Sequence, residues 1–267
     1  MTQEDTILVE RKDLIGIIAI NNQGKKNAVN NEMLIKIGET LEQMEAEGIR
    51  AIIIKGMGDR MFCSGYDVSA VPKVVDSIFG RGDEKDKPDY VRLTARKFAD
   101  ISIPVIAMLN GNCMGAGLDI AGACDLRYGA AGIKFNMPPA RLGITYNPEG
   151  VMRLMNIVGI GRAKEILYLA KDITAEEAYE IGFLNKLLPK EELEAYVMGI
   201  AKTIVENAPL SIRGMKKIFK YCLEHQKIAE ERDREADQIF LEAIQSEDMA
   251  EALIALREKR KPAFKGR

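Results

Sequence analysis

The sequence has a single histidine among its 267 residues, and this scarcity limits the chemistry open to the protein. The histidine, His225, lies in a charged helical pattern near the C-terminus. A Ser-His-Asp triad needs a histidine as its base, and zinc sites in proteins commonly use several. The sequence therefore argues against both kinds of site, and we expect no metal site.

Cysteine is also scarce, and its spacing gives no framework for a disulfide or a metal. None of the four cysteines forms a C-x-x-C pair, and three of them lie among apolar or small residues. Such residues behave as small hydrophobic side chains. We predict buried free thiols rather than ligands or disulfides.

An excess of charge and a long apolar run are missing as well. The 38 Lys and Arg residues nearly balance the 40 Asp and Glu residues, so no strong field attracts nucleic acid or anionic lipid. The apolar run LIGIIAI is too short to span a bilayer, and the leading MTQED is acidic where a signal peptide is basic. We expect a cytoplasmic protein with no nucleic-acid or membrane partner.

The remaining pattern is that of a globular α/β protein. Two β-rich runs, 6–10 and 14–20, precede an amphipathic helix and the buried strand AIIIKG, an order that predicts an α/β core. The polar segment 72–89 is interpreted as a surface excursion or a lid. From about residue 190 to 257 the sequence is helix-compatible with a break at Pro209, which predicts a helical appendage on the core.

Two loops carry small residues at strand ends. In MGAGLDI, Gly115, Ala116 and Gly117 allow a backbone N–H at the start of a helix to face a ligand directly. In GMGDRMFCSGYD, Gly65 does the same for the N–H of Tyr66. The two loops predict a pair of converging amides, an oxyanion hole. Close packing of a helix on a strand is the alternative for the first loop.

These loops resemble those of the crotonase (enoyl-CoA hydratase/isomerase) superfamily. The resemblance rests on RMFCSGYD, VIAMLNGNCMGAGLDIAGACDLR and FLNKLLP in this order, and it extends from KKNAVN to EKRKPAF. It implies a ββα spiral core with a C-terminal α-helical trimerisation region, and an acyl-CoA thioester as substrate, with the thioester oxygen between the N–H groups of Tyr66 and Ala116. Coenzyme A is then part of the substrate, and no separate cofactor is expected.

The same resemblance implies two regions and an oligomer. Residues 1–200 would form the acyl-CoA-binding core, and residues 201–267 would form the helical oligomerisation region. We expect a homotrimer or a dimer of trimers. Neither the acyl group nor the choice between these assemblies follows from the sequence.

The acid-base residues depart from the hydratase pattern. Hydratases of this family use two glutamates; the first falls at Asp119 and the second at Pro139, which has no ionisable group. Asp119 also has a structural interpretation, as a polar residue in the first turns of the helix. Glu149 follows Asn147 and Pro148, which predict a helix start at which a carboxylate complements the dipole without chemistry.

Tyr146 gives a second functional indication. The segment ARLGITYNPEG is similar to that of the methylmalonyl-CoA decarboxylase branch, where a tyrosine at this place lies beside the substrate carboxylate. A phenol is a proton donor at neutral pH and a poor base, which suits decarboxylation. That branch has a histidine in place of Tyr66 and a threonine in place of Pro138, so only part of its site carries over. A ring packed under the loop is the alternative for Tyr146.

The resemblance also implies residues that bind coenzyme A. They lie in the first turn, in the loop near Gly65 and in the basic tail: Lys25, Lys26, Ala28, Ser64, Gly65, Lys259 and Phe264. A solvated turn is the alternative for Lys25 and Lys26. The basic tail also suits the C-terminal end of a helix dipole.

Three functions follow as hypotheses. The first is an acyl-CoA lyase that works through a thioester enolate and decarboxylates a malonyl-type CoA. The second is an enoyl-CoA hydratase or isomerase that uses Asp119 with a non-standard partner, for which Glu149 and Tyr146 are the candidate catalytic residues. The third is a non-catalytic binding protein with the same fold, which the retained pair of oxyanion loops disfavours.

Overall fold

The computed structural model describes residues 5–67, 89–224, 238–239 and 242–266, and it confirms the predicted α/β class. The strands are β1 (Ile7–Lys12), β2 (Ile15–Ile20), β3 (Ala51–Gly56), β4 (Met61–Cys63), β5 (Val105–Leu109), β6 (Asn112–Met114), β7 (Leu126–Ala130), β8 (Lys134–Asn136), β9 (Ile173–Thr174) and β10 (Lys186–Leu188). The helices are α1 (Asn31–Ala46), α2 (Tyr90–Asp100), α3 (Ala116–Ala123), α4 (Pro148–Leu169), α5 (Ala175–Glu180), α6 (Lys190–Glu206), α7 (Pro209–Glu224) and α8 (Glu247–Glu258).

A six-stranded sheet forms the centre of the fold, in the order β1-β2-β3-β5-β7-β10. Only β1 runs antiparallel to its neighbour, while β2, β3, β5, β7 and β10 are parallel. Every residue of β2 and β5 is buried, which explains why both are continuous apolar runs rather than alternating patterns. The helix α6 packs on β3, β5 and β7.

A second, four-stranded sheet has the order β4-β6-β8-β9. Its strand β4 lies within the segment that the sequence predicted as a loop. It forms because Met61 and Cys63 pair in parallel with Asn112 and Cys113 of β6. This three-residue strand depends on a partner about fifty residues away, so its own sequence carries no strand periodicity.

Within the described residues, the predicted amphipathic helix and the predicted break at Pro209 are confirmed. The apolar positions of α1 are buried, and Gly48 after this helix has a φ of +84°. Thr174 and Glu177 form a capping box at the start of α5, as the spacing of these two residues favours. The Thr174 hydroxyl accepts from the N–H of Glu177 at 3.1 Å, and the Glu177 carboxylate accepts from the N–H of Thr174 at 2.8 Å. Pro209 begins α7.

An ion pair between a buried lysine and a partly exposed aspartate attaches α7 to the central sheet. The ammonium of Lys216 donates to Asp125 Oδ2 and to the carbonyl of Ile103, both at 2.8 Å. Asp125 Oδ2 also accepts from the N–H of Val105 at 2.7 Å, so the helix is fixed at the start of β5. The predicted packing of the helical appendage on the core is confirmed for α7.

The chain divides into two compact units by its internal contacts. The first comprises residues 1–70, 89–135 and 172–226, and the second comprises residues 71–88, 136–171 and 227–267. The predicted boundary at residue 200 falls inside α6, and the separation of a binding core from an oligomerisation region stays a prediction. His225 and nearly all of the predicted lid, 72–89, lie outside the described residues. Among the described helices, none combines the length and apolarity that crossing a membrane requires.

Candidate active site

The loop after β4 presents the backbone of Tyr66. Gly65 has a φ of +110°, a conformation that only glycine adopts without strain. The carbonyl of Gly65 accepts from the N–H of Val29 at 3.0 Å, and the N–H of Asp67 donates to the carbonyl of Val29 at 2.8 Å. Because successive N–H groups of an extended chain alternate in direction, the N–H of Tyr66 points away from Val29.

The loop after β6 presents the backbone of Ala116. Gly115 precedes α3 with a φ of 51° and a ψ of −119°, and Ala116 is the first residue of the helix. The N–H groups of a first helical turn have no partner within the helix, and the dipole makes this end positive. This end of α3 is therefore suited to stabilising a developing negative charge near Ala116.

The two loops lie against each other in the first unit. A Cβ built on Gly65 would lie 3.8 Å from the amide nitrogen of Ala116 and 3.4 Å from the carbonyl oxygen of Met114. The backbone of one loop thus contacts the backbone of the other, with no side chain between them. Chemically, such an arrangement can supply two amide donors to one oxyanion.

The small residues of the second loop serve packing as well. A Cβ on Gly117 would lie 2.6 Å from Cβ and 2.9 Å from the carbonyl oxygen of Cys63. Glycine at this position allows α3 to pack directly on β4. Close packing of the helix on a strand, the alternative considered for this loop, therefore explains Gly117. Gly115 differs, because its backbone conformation has a positive φ of 51°.

Asp119 lies one turn into α3 with only 2% of its surface exposed. Its N–H donates to the carbonyl of Gly115 at 3.1 Å, and helical side chains lean toward the N-terminus, where Ala116 lies. The predicted first turn of α3 is thus confirmed. Pro139 is buried in the short 3₁₀ helix Pro139–Leu142.

A second carboxyl group, which was not predicted from the sequence, lies near Asp119. Asp89 caps α2 by accepting from the N–H of Arg92 at 3.0 Å, and α2 packs on α3. Desolvation, together with the nearby Asp119 carboxylate, raises the pKa of Asp89 above its ordinary value. An aspartate directly before a helix is a recognisable cap, but nothing in the sequence connects it to Asp119, thirty residues away.

Tyr146 and Glu149 belong to the second unit, at the start of α4. The side chain of Asn147 accepts from the N–H of Gly150 at 2.7 Å, so the predicted cap is confirmed, with Glu149 in the first turn. The ring of Tyr146 packs on Gly150, because a Cβ there would lie 2.4 Å from Cζ and 2.6 Å from the phenol oxygen. The tyrosine is half-buried, as a ring packed in this loop should be.

The residues predicted to bind coenzyme A fall into two groups. In the first unit, the hydroxyl of Ser64 donates to the carbonyl of Lys25 at 3.3 Å, so the Gly65 loop and the turn of Lys25, Lys26 and Ala28 are brought together. The ammonium of Lys25 lies 2.7 Å from Oδ2 of Asp67. Asp67 was not among the site residues predicted from the sequence, where its alternative is a cap of the segment 68–75; that segment lies outside the described residues.

The second group, Lys259 and Phe264, follows α8 in the second unit. Lys259 ends the helix in a left-handed conformation, and Phe264 is exposed. In the sequence between these two residues, Arg260 donates to Glu251 and Glu258. Its guanidinium lowers the pKa of Glu251 to about 2. Part of the tail's positive charge is therefore neutralised by its own helix.

The cysteines are free, as predicted. Cys63, Cys113 and Cys124 are buried and Cys222 is exposed. Burial raises the pKa of Cys63 to about 12, so this thiol is not a nucleophile at neutral pH. Among the residues that the structure describes, no group of three or more histidine, cysteine, aspartate or glutamate side chains could hold a metal ion.

Comparisons with known proteins agree with the predicted superfamily. The family model described as enoyl-CoA hydratase/isomerase matches residues 10–267. The chain is 32% identical over 270 residues to the short-chain-enoyl-CoA hydratase of Clostridium acetobutylicum, covering 98% of this chain and 99% of the relative. It is 29% identical over 253 residues to the methylmalonyl-CoA decarboxylase of Escherichia coli, covering 94% and 95%.

A solved structure agrees with the predicted crotonase-like fold. A methylmalonyl-CoA decarboxylase in complex with 2-nitronate-propionyl-CoA matches with a TM-score of 0.89 and 28% identity, covering 98% of this chain and 99% of that one. The crotonase-like fold predicted from the sequence is therefore confirmed.

Proposed function

This chain belongs to the enoyl-CoA hydratase/isomerase family, and we propose that it is an acyl-CoA lyase that decarboxylates a malonyl-type CoA thioester through an enolate. The observation that carries the proposal is the direct contact of the Gly65 loop with the start of α3 at Ala116. Its chemistry is that of an oxyanion hole formed by the N–H groups of Tyr66 and Ala116.

The proposed reaction is balanced without a base. The bond between the α-carbon and the carboxylate breaks, CO2 leaves, and the electron pair moves into the thioester as an enolate. The two N–H groups stabilise the enolate oxygen, and each such donor contributes about 2.7 to 4 kcal/mol to the transition state. A proton donor then protonates the α-carbon.

Tyr146 is the proton donor in this proposal. A phenol with an ordinary pKa of about 10 carries its proton at neutral pH. The assignment rests on the similarity of its segment to the decarboxylase branch. The decarboxylase reaction is also supported by the residue at position 139. Hydratases of the family have their second glutamate at this position, where this chain has Pro139, and a decarboxylase needs no base to remove a proton.

Hydration of an enoyl-CoA is the second candidate, and one observation favours it. The Asp119 carboxylate lies close enough to a second carboxyl group, that of Asp89, to help burial raise the pKa of Asp89. Pairs of carboxyl groups with separated pKa values are the usual means of dividing acid and base roles. In this version Asp119 activates water, and the relative with 32% identity is a hydratase.

The protein is further proposed to form a trimer or a dimer of trimers in the cytoplasm. Large apolar side chains of α7 support self-association, since Leu210 is 82% exposed and Phe219 is 69% exposed in the single chain. Sedimentation equilibrium of the purified protein measures the assembly. A monomer at micromolar concentration would contradict it.

A parallel assay distinguishes the two reactions. The purified protein is incubated with methylmalonyl-CoA and with crotonyl-CoA, and mass spectrometry follows the loss of CO2 or the gain of water. We expect loss of CO2. A gain of water alone would favour hydration by Asp119 and Asp89 over decarboxylation. If the protein turned over neither thioester and none of a wider set of acyl-CoA compounds, the proposal would be contradicted.

A further inference from the structure

We propose that the ion pair between Lys25 and Asp67 positions the N–H of Tyr66 toward the thioester oxygen. Both are then positioning residues, and Lys25 acts through the oxyanion loop rather than by binding the nucleotide of coenzyme A. This inference rests on the proposed function, because it concerns the same oxyanion hole.

The pair lies directly beside the donor that it would position. Asp67 follows Tyr66 in the chain, and its Oδ2 lies 2.7 Å from Nζ of Lys25. The Asp67 side chain is only 11% exposed, whereas that of Lys25 is 55% exposed. A partly exposed lysine thus places its charge on a nearly buried carboxylate, where the pairing is less screened by solvent.

The backbone on both sides of Tyr66 is fixed to the same segment as Lys25. The hydroxyl of Ser64 donates to the carbonyl of Lys25. The N–H of Val29 donates to the carbonyl of Gly65, and the carbonyl of Val29 accepts from the N–H of Asp67. The ion pair adds a contact between side chains to these backbone hydrogen bonds. It therefore helps to fix the orientation of the peptide group between Gly65 and Tyr66, which carries the N–H of Tyr66.

The side chain of Tyr66 is fixed independently. Its hydroxyl donates to Oδ1 of Asn31 at 2.7 Å, in the first turn of α1. Asn31 holds the Tyr66 ring and Lys25 holds the Asp67 carboxylate. Loss of the ion pair would then allow a small rotation of the backbone at Tyr66. A shift of tenths of an ångström is enough to weaken a hydrogen bond to an oxyanion.

Replacing the Lys25 side chain leaves its turn in place. The turn has left-handed conformations at Lys26 and Asn27, each with a φ of 56°. The buried amide of Asn27 donates to the carbonyls of Met57 and Met61 at 3.0 and 2.8 Å. These bonds do not involve the lysine ammonium, so Lys25→Met tests the ion pair rather than the turn.

The first experiment compares two thioesters that share an acyl group. One is the CoA thioester that the wild-type enzyme turns over, and the other is the corresponding pantetheine thioester, which lacks the nucleotide. We expect Lys25→Met and Asp67→Asn each to lower kcat by about tenfold on both thioesters. A rise of KM in Lys25→Met that is confined to the CoA thioester would overturn the proposal, because it identifies Lys25 as a nucleotide ligand.

The Lys190–Asp59 ion pair provides a matched control. It has the same residue types and a separation of 2.9 Å, but it joins α6 to the loop before β4 and does not flank Tyr66. Lys190→Met and Asp59→Asn should leave kcat unchanged on both thioesters. An equal loss of kcat in these variants would attribute the effect to general loss of an ion pair and would overturn the positioning role.

The double variant tests whether the two residues act as one unit. If the ion pair is the device, Lys25→Met combined with Asp67→Asn should lose no more than about tenfold, since the second change removes nothing further. Multiplied losses of about a hundredfold would mean that the residues act separately, and the proposal would fail.

A spectroscopic measurement separates this inference from the proposed function. Infrared difference spectra of a bound, unreactive butyryl-CoA labelled with ¹³C at the thioester carbonyl report polarisation by the oxyanion hole. We expect a downshift of the carbonyl band in wild type and a smaller one in Lys25→Met and Asp67→Asn. No downshift in wild type would contradict the proposed function, whereas an equal downshift in wild type and both variants would contradict only the positioning role.

Discussion

The ring of Tyr146 packs on the bare backbone of Gly150 in the first turn of α4, where a Cβ would lie 2.4 Å from Cζ. The position of this tyrosine therefore depends on the absence of a side chain four residues later. The Asn147 cap fixes the start of the same helix at 2.7 Å. A candidate proton donor and the start of α4 thus form one local unit.

Gly150→Ala should displace the Tyr146 ring. We expect a loss of about 1 to 3 kcal/mol of unfolding free energy from overpacking, and a fall in decarboxylation of tenfold or more. Gly161→Ala, in the same helix with no atom near its added Cβ, is the control and should leave activity intact. Urea unfolding and the CO2 assay measure the two effects, and full decarboxylation in Gly150→Ala would remove Tyr146 from the mechanism.

Tyr146→Phe and Asp119→Asn should divide the two candidate reactions. Loss of a general acid typically lowers the rate by about 100-fold or more. We expect Tyr146→Phe to lower decarboxylation to this extent and to spare hydration, and Asp119→Asn to do the reverse. The rates on methylmalonyl-CoA and crotonyl-CoA measure both, and full activity of both variants on the true substrate would show the assignment to be wrong.

Gly65→Ala should strain the oxyanion loop without a steric clash. The added Cβ meets ordinary contact distances, but a φ of +110° costs a residue other than glycine about 1 to 3 kcal/mol. Gly132→Ala, with a φ of +80° and no atom near its Cβ, should lose similar stability and keep its activity. If both variants turned over substrate as wild type does, the loop geometry would not matter for catalysis.

Asp89→Asn should change how stability depends on pH. Below the ordinary carboxyl pKa of about 4, both the folded and the unfolded states bind the proton, and the group has no effect. As the pH rises from there through the raised folded pKa, the folded wild type loses stability. Asparagine still caps α2 but cannot ionise, so the variant should gain stability relative to wild type across that window.

Urea unfolding at a series of pH values measures this gain. Asp119→Asn offers a second check, because it removes the neighbouring charge that helps to raise the pKa of Asp89. The pH dependence of Asp119→Asn should therefore be weaker than that of wild type. Curves that run parallel for wild type and Asp89→Asn would show that the carboxyl titrates normally.

The cysteines should divide three to one in reactivity. Cys63, Cys113 and Cys124 are buried, and burial raises the pKa of both Cys63 and Cys113. We expect a disulfide reagent such as Ellman's to modify only Cys222 in the native protein and all four thiols in denaturant. Mass spectrometry after limited reaction identifies the site, and rapid modification of Cys63 would contradict the burial of this thiol in β4.

Elements with local signals were determined by the sequence itself. The strands β2, β3 and β5 are continuous apolar runs because both of their faces are buried. The helix α1 shows helical spacing of apolar residues because only one of its faces is buried. The caps at Thr174 and Asn147 and the glycine after α1 are equally local, because each involves residues within four positions. The two small-residue loops were also recognisable, since glycine and alanine at a strand end let a backbone N–H face a ligand directly.

Contacts between distant segments were decided only by the tertiary structure. The pairing of β4 with β6, the proximity of Asp89 to Asp119 and the ion pair of Lys25 with Asp67 join residues 30 to about 50 positions apart. A carboxylate or lysine carries no sequence signal for its partner, because the chain path between them sets the geometry. The sequence determined which groups could act, and the fold of the first unit decided that Lys25 meets Asp67 beside the backbone of Tyr66.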